Sequence, residues 1–222
     1  MKIVLPGINK VFETTDDRVY TLIIENQQLL VDILNDFNKQ FHGDEGKIVL
    51  SENDKLLQTD KNCELLTQFI PFDISTKVLV SKLVSSMEKR GASGDFFENS
   101  QALLSYLEKF LYDISFEMTG DIVFGKLNLS SIIKAVGVGF AEDYDSLAEK
   151  IVDYMELVRE YDRDKLFITL NLRDYISDSD MNAFVNTVLD HNIKIFMIES
   201  RERCVLERES RFIVDEDWCE IC

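Results

Sequence analysis

Two acidic groupings are the residues of this sequence best suited to hold an ion. Glu117 and Asp121 flank Gly120 where a long helical pattern stops, and Glu142-Asp143-Tyr144-Asp145 precedes the next one. Calcium takes carboxylate and carbonyl oxygens from loops that can wrap around it. The stretch 125–140 between them carries Lys126 and Lys134 and no acid. A hairpin-like return would bring the acids together and leave both lysines exposed beside them. On spacing alone, helix capping and solvation remain the stronger reading of the same acids.

Other motifs carry less chemistry. There is no G-x-x-x-x-G-K-[ST]; the nearest approach is Gly43-Asp44-Glu45-Gly46-Lys47, with two residues between the glycines instead of four. A phosphate loop must follow a strand and open a helix, so that amides at the helix N-terminus face the phosphates. Here the order is reversed, and Gly43 reads as a helix C-cap. The run IKIFMIES ends in Glu199, the place where many phosphate-loop enzymes keep a magnesium-holding acid. Without the loop it reads as a polar residue at the end of a buried strand. The two histidines, His42 and His191, fall in a turn and at a helix C-terminus, away from any nucleophile. Cys219-Glu220-Ile221-Cys222 is a lone C-x-x-C, and Cys63 and Cys204 are too remote in sequence to complete a zinc site. Ser177-Asp178-Ser179-Asp180 lacks the glycine and terminal glutamate of a calcium loop and reads as a helix start.

Charge argues against a simple DNA-binding domain. Such domains are usually basic, and this chain has a formal net charge of −17. Its local positive stretches are therefore the only places for phosphate contacts. One is the helical run holding Lys77, Lys82, Lys89 and Arg90, opposed there by Asp73 and Glu88; a solvated face is the ordinary account of it. No apolar run reaches the ~18 residues of a membrane span. The uneven cysteines do not resemble a disulfide framework, so the expected compartment is the cytoplasm.

The elements that must position these residues alternate in type. Apolar or β-branched runs predict strands at 2–5, 19–24, 47–51 and 63–70, the last ended by Pro71, with an Asn26-capped helix over 27–41. The middle is helical, over 75–90, 96–118, 129–136 and 144–161. In the longest of these, Leu103, Leu104, Leu107, Phe110, Leu111 and Ile114 form an apolar stripe. The chain then returns to LFITL, a Ser177-capped helix through 191, and IKIFMIES, the form of a parallel βαβ crossover. The expected architecture is a discontinuous α/β head, 1–71 with 151–222, into which a helical leg, 72–150, is inserted.

KLFITLNLRDYISDSD, IKIFMIESRE and RFIVDEDWCEIC, with Lys134-Ala135-Val136-Gly137-Val138 and the long helix ending at Glu117, resemble the small adaptation protein of type II-A CRISPR–Cas systems. The resemblance implies an α/β head related to P-loop ATPases but without the phosphate loop, and a helical leg. It implies a non-enzymatic, calcium-dependent homotetrameric ring that threads double-stranded DNA and binds its ends without sequence preference. It further implies work in spacer acquisition beside the CRISPR integrase proteins and the RNA-guided nuclease, with no membrane partner. Glu117, Asp121 and Glu142 match family acids near the junction of head and leg and are the expected calcium ligands. Lys77, Lys82, Lys126 and Lys134 are the expected DNA contacts. Gly125 and Lys126 stand where some relatives have further acids, so the number of ions stays open. Two other classes also stay open: a degenerate P-loop-like NTPase or metal-dependent nuclease, and a protein-interaction scaffold that binds no DNA.

Overall fold

The structure, a computed structural model, describes residues 1–15 and 17–221. It is mixed α/β and divides into two compact units, Met1–Phe72 with Asp143–Cys222, and Asp73–Glu142. The division falls at 142/143, earlier than the expected 150/151. The reason is local: the helix after it starts at Leu147, capped by the Ser146 side chain, and buries Ile151, Val152, Met155 and Val158 in the first unit.

The first unit is built on a six-stranded sheet. Its strands are β3 (Val19–Ile24), β6 (Cys63–Leu66), β7 (Leu166–Leu170), β8 (Lys194–Glu199), β9 (Glu209–Val214) and β10 (Glu220–Ile221), in the order β10-β9-β3-β8-β7-β6. Five are parallel and only β10 runs antiparallel. Near-continuous burial of β3, β7 and β8 is what a parallel sheet covered on both faces requires. Helix α1 (Gln27–Phe41) leaves β3 toward the β6 edge, whereas α6 (Leu147–Tyr161) and α7 (Asp178–Asp190) belong to crossovers running back toward β3. Right-handed crossovers of opposite direction place their helices on opposite faces.

On the α1 face, alternate strand residues Leu22, Ile24, Phe196, Ile198, Phe212 and Val214 pack with Leu29, Ile33 and Phe37 of the helix. A second, antiparallel sheet completes this core. It has β1 (Lys2–Val4), β2 (Val11–Glu13), β4 (Val49–Glu52) and β5 (Lys55–Leu57) in the order β2-β1-β4-β5. Phe12 locks the two sheets together, meeting Tyr20, Phe196 and Phe212 edge-on at centroid distances of 6.0, 5.1 and 5.6 Å. Such aromatic pairs contribute about 0.5–1.5 kcal/mol each beyond their area. A short helix, α2 (Thr59–Asn62), leads into β6, which stops at Leu66; residues 67–70 are not strand, and Phe69 is buried outside the sheet.

In the second unit the described regular elements are helical: α3 (Lys77–Gly91), α4 (Phe97–Ser115) and α5 (Leu129–Val136). Helices α3 and α5 pack closely, because Gly91 leaves room for the Leu129 side chain; a Cβ there would lie 2.2 Å from Leu129 Cδ2. Near the two ends of this unit, the Phe140 amide donates to the Ser75 hydroxyl at 3.2 Å. No helix among the described residues is long and apolar enough to cross a membrane.

Candidate functional site

Open parallel sheets bind ligands outside the carboxyl ends of their strands, where the chain order switches. Here that place follows β3, which β8 and β9 flank. Only Glu25 and Asn26 separate β3 from α1. Asn26 is fully engaged: its Oδ1 accepts from the Leu29 amide at 3.0 Å and its Nδ2 donates to the Glu216 carbonyl at 2.9 Å. The α1 N-terminus is thus capped by its own chain, and the two-residue turn cannot wrap a phosphate. The glycines at 43–46 lie past the other end of α1. Gly43 takes φ +86 at the helix C-terminus, and the amides of Lys47 and Ile48 point at Asp36 Oδ2, at 2.7 and 2.8 Å. A carboxylate already holds the amides that a phosphate would need.

The end of β8 is more unusual. Glu199 is 1 % exposed, and burial pushes its carboxyl up to about 7. Its Oε1 accepts from the Arg173 amide at 3.3 Å. The Arg173 side chain, equally buried, donates to Asp178 Oδ1 at 2.9 Å and to the Cys204 carbonyl at 2.8 Å, and stands 3.8 Å from Glu209. Glu209 Oε2 takes the Arg211 Nε–H at 2.8 Å and the Leu206 amide at 2.9 Å. Nearby, Arg201 and Arg203 both pair with Asp174 and hold it below the usual carboxylate range against the effect of burial. The chain from 200 to 208 carries β8 past β3 to β9, and these guanidiniums fasten it down. Sequence reasoning missed this network. Its only signal was Arg173-Asp174 directly after LFITLNL.

The remaining reactive groups are quiet. Cys63 is buried and its thiol is pushed up to about 12 by burial, so it is not a thiolate at neutral pH. Cys204 and Cys219 are exposed free thiols, and Cys222, the other half of the C-x-x-C, lies outside the described residues. His191 Nδ1 contacts Glu156, and His42 Nδ1 lies 2.7 Å from the Asn38 carbonyl.

The expected ion and DNA residues all fall in the second unit. Glu117 follows α4 in a turn closed by its amide to the Ile114 carbonyl; Asp121 follows Gly120, whose φ is +109; Glu142 is the last residue of the unit. All three are exposed. Among the described residues no group of three or more His, Cys, Asp or Glu side chains is placed to hold a metal ion. Of the lysines, Lys77 and Lys82 lie on α3 and Lys134 in the last turn of α5, where the helix dipole favours a cation. Lys126 is exposed in the stretch before α5. The packed α3–α5 pair therefore carries three of the four.

The apolar stripe expected on the long helix is present but is not core. No residue of α4 is buried; Tyr106 is 68 % and Phe110 50 % exposed, and Phe116 just beyond is 72 % exposed. In the segment after it, Val123 and Phe124 are exposed as well.

The family described as CRISPR-associated protein (Cas_Csn2) matches residues 40–218. The chain belongs to that family. Membership fixes a CRISPR-associated role. A curated relative, the CRISPR-associated protein Csn2 of Enterococcus faecalis, is 20 % identical over 161 residues, covering 69 % of this chain and 69 % of the relative. The Csn2 match takes in all of the second unit and residues 40–72 and 143–218 of the first.

Proposed function

We propose that this Csn2-family chain is a non-enzymatic protein that assembles into a tetrameric ring, binds double-stranded DNA ends without reading sequence, and supports spacer acquisition in the cytoplasm. The observation that carries the reading is the uncovered apolar surface of α4 and the segment after it. Exposed apolar side chains gathered on one helix mark an interaction surface, and further copies of the same chain are the occupant that a Csn2 ring calls for. Assembly also resolves the charge problem. One copy has few lysines to offer, but several copies facing one duplex pool Lys77, Lys82, Lys126 and Lys134 into a multivalent phosphate-binding surface.

The head reads as an α/β fold of P-loop-ATPase descent that no longer holds a nucleotide. Its strand order, the two-residue β3–α1 turn and the Asp36-bound amides support that. The inserted second unit is the leg. Glu117, Asp121 and Glu142 are the proposed calcium ligands; since they form no group in the single chain, the ion or a neighbouring copy must draw them together. The CRISPR integrase proteins and the RNA-guided nuclease are the proposed working partners. Solution mass by light scattering with and without calcium tests the assembly, and a mass of one chain in both conditions contradicts it. Incubation with ATP or linear duplex tests the enzymatic alternatives, since turnover or cleavage removes the non-enzymatic reading.

A further inference from the structure

We propose that the groove between α6 and α7 is a docking site for a basic amphipathic segment of a partner protein. The groove has a volume of about 310 Å³ and is formed wholly within the first unit. Its floor is apolar, made by the buried side chains of Val152 and Phe184. Ala148 and Ala183 keep the walls low, so the groove stays shallow and accessible between the two helices. The rim is acidic on both sides: Glu149, Asp153 and Glu156 from α6, and Asp180 from the first turn of α7. His191, in contact with Glu156, closes one end and is the only lining residue able to carry positive charge.

These features select an occupant. Four carboxylates around a concave apolar floor create a negative potential that repels phosphate, so DNA does not belong here. A free metal ion has no use for the floor. Lysine and arginine lay an aliphatic stem on apolar surface and keep the charged head at the edge, which fits a narrow apolar trough with acidic banks. A segment with one leucine-like side chain for the floor, flanked by such residues on either side, satisfies both parts. A helix presents that pattern at i, i+3 and i+4. The proposal is independent of DNA binding, which concerns lysines of the other unit.

The test uses the full chain and a fluorescein-labelled 15-residue peptide with a leucine stripe flanked by arginines, read by fluorescence anisotropy. Binding is expected, weakening at least tenfold in Asp153→Lys and in Ala183→Trp, which fills the trough at an exposed position. Glu13→Lys, on the small sheet, is expected to bind like the parent chain. A peptide with serine replacing the leucines, or glutamate replacing the arginines, is expected to bind at least tenfold more weakly. Absence of binding overturns the proposal. So does equal binding by Asp153→Lys and Ala183→Trp, or by the serine peptide, because adhesion to an acidic protein then explains the result. Displacement of the peptide by spermine at equal concentration also overturns it in favour of a small polycation. Thermal melts of both groove variants confirm that a lost signal is not lost folding.

Discussion

The carboxylate of Glu199 accepts the backbone amide of Arg173 at 3.3 Å, which ties the buried end of β8 to the turn that follows β7. Among the described residues, the second oxygen of Glu199 has no hydrogen-bond partner, and Thr21, Thr169 and Arg173 also hold unpartnered buried atoms. Buried polar groups are ordinarily satisfied, and of these it is Glu199 whose fit in the sheet depends on protonation.

That dependence has a definite sign. The Glu199 carboxyl is raised from 4.5 to about 7 by burial, so the folded chain holds this proton more tightly than the unfolded one. The associated stability is complete below about pH 4.5 and is lost as pH rises through 7. Glu199→Gln keeps an acceptor for the Arg173 amide and cannot ionise. It should leave urea stability unchanged relative to the parent near pH 4 and raise it by about 1–3 kcal/mol at pH 8. An equal effect at both pH values would show that Glu199 does not titrate in this range.

Arg173 is 2 % exposed, its guanidinium lies between two acids, Asp178 and Glu209, and its backbone amide donates to a third, Glu199. Removing one partner of a buried charge network costs about 3–5 kcal/mol, because the others are left uncompensated. Arg173→Ala should therefore lower the unfolding free energy by that order in chemical denaturation. Arg173→Lys should recover only part of this, since one ammonium cannot both meet Asp178 and the Cys204 carbonyl, as Nη2 does, and stand beside Glu209, as Nη1 does at 3.8 Å.

The α4 surface gives a prediction with a different readout. Tyr106→Glu with Phe110→Glu places two charges on the exposed apolar surface of α4 and alters no buried residue. Light scattering should show the assembly reduced to single chains, while the melting of the head stays within about 0.5 kcal/mol of the parent. Unchanged mass would show that α4 faces something other than a second copy.

Each lysine that meets a phosphate should carry a measurable share of the salt dependence. Lys126→Ala and Lys134→Ala should each weaken duplex binding about equally for unrelated sequences. Each should also reduce the slope of log affinity against log salt by about 1 for every phosphate that the lysine neutralises. Filter binding across a salt series measures both effects. A variant that changes sequence preference instead would move that lysine from the DNA backbone to a base edge.

Much of the head was legible in the sequence. Strands β3, β7 and β8 are continuous apolar runs, and Asn26 and Ser177 cap their helices as read, because these signals are local. The small sheet was not read as one: β2 and β5 are three residues each, too short for any periodicity, and only their pairing to β1 and β4 makes them strands. The stripe on α4 was real, but a 3.6-residue period reports an apolar face and not what covers it. Arg173 escaped because its partners at 178, 204 and 209 come together only when the chain from 200 to 208 folds across the sheet. The acids at 117, 121 and 142 show a different limit, since their spacing favours capping and solvation and only the family resemblance singles them out as calcium ligands.

The most direct measurement is an electrophoretic shift with linear duplex and closed circular duplex of the same sequence, each with and without calcium. A calcium-dependent ring that enters at DNA ends retards only the linear duplex, and only with calcium present. Equal retardation of the closed circle, or retardation of linear DNA without calcium, contradicts the account.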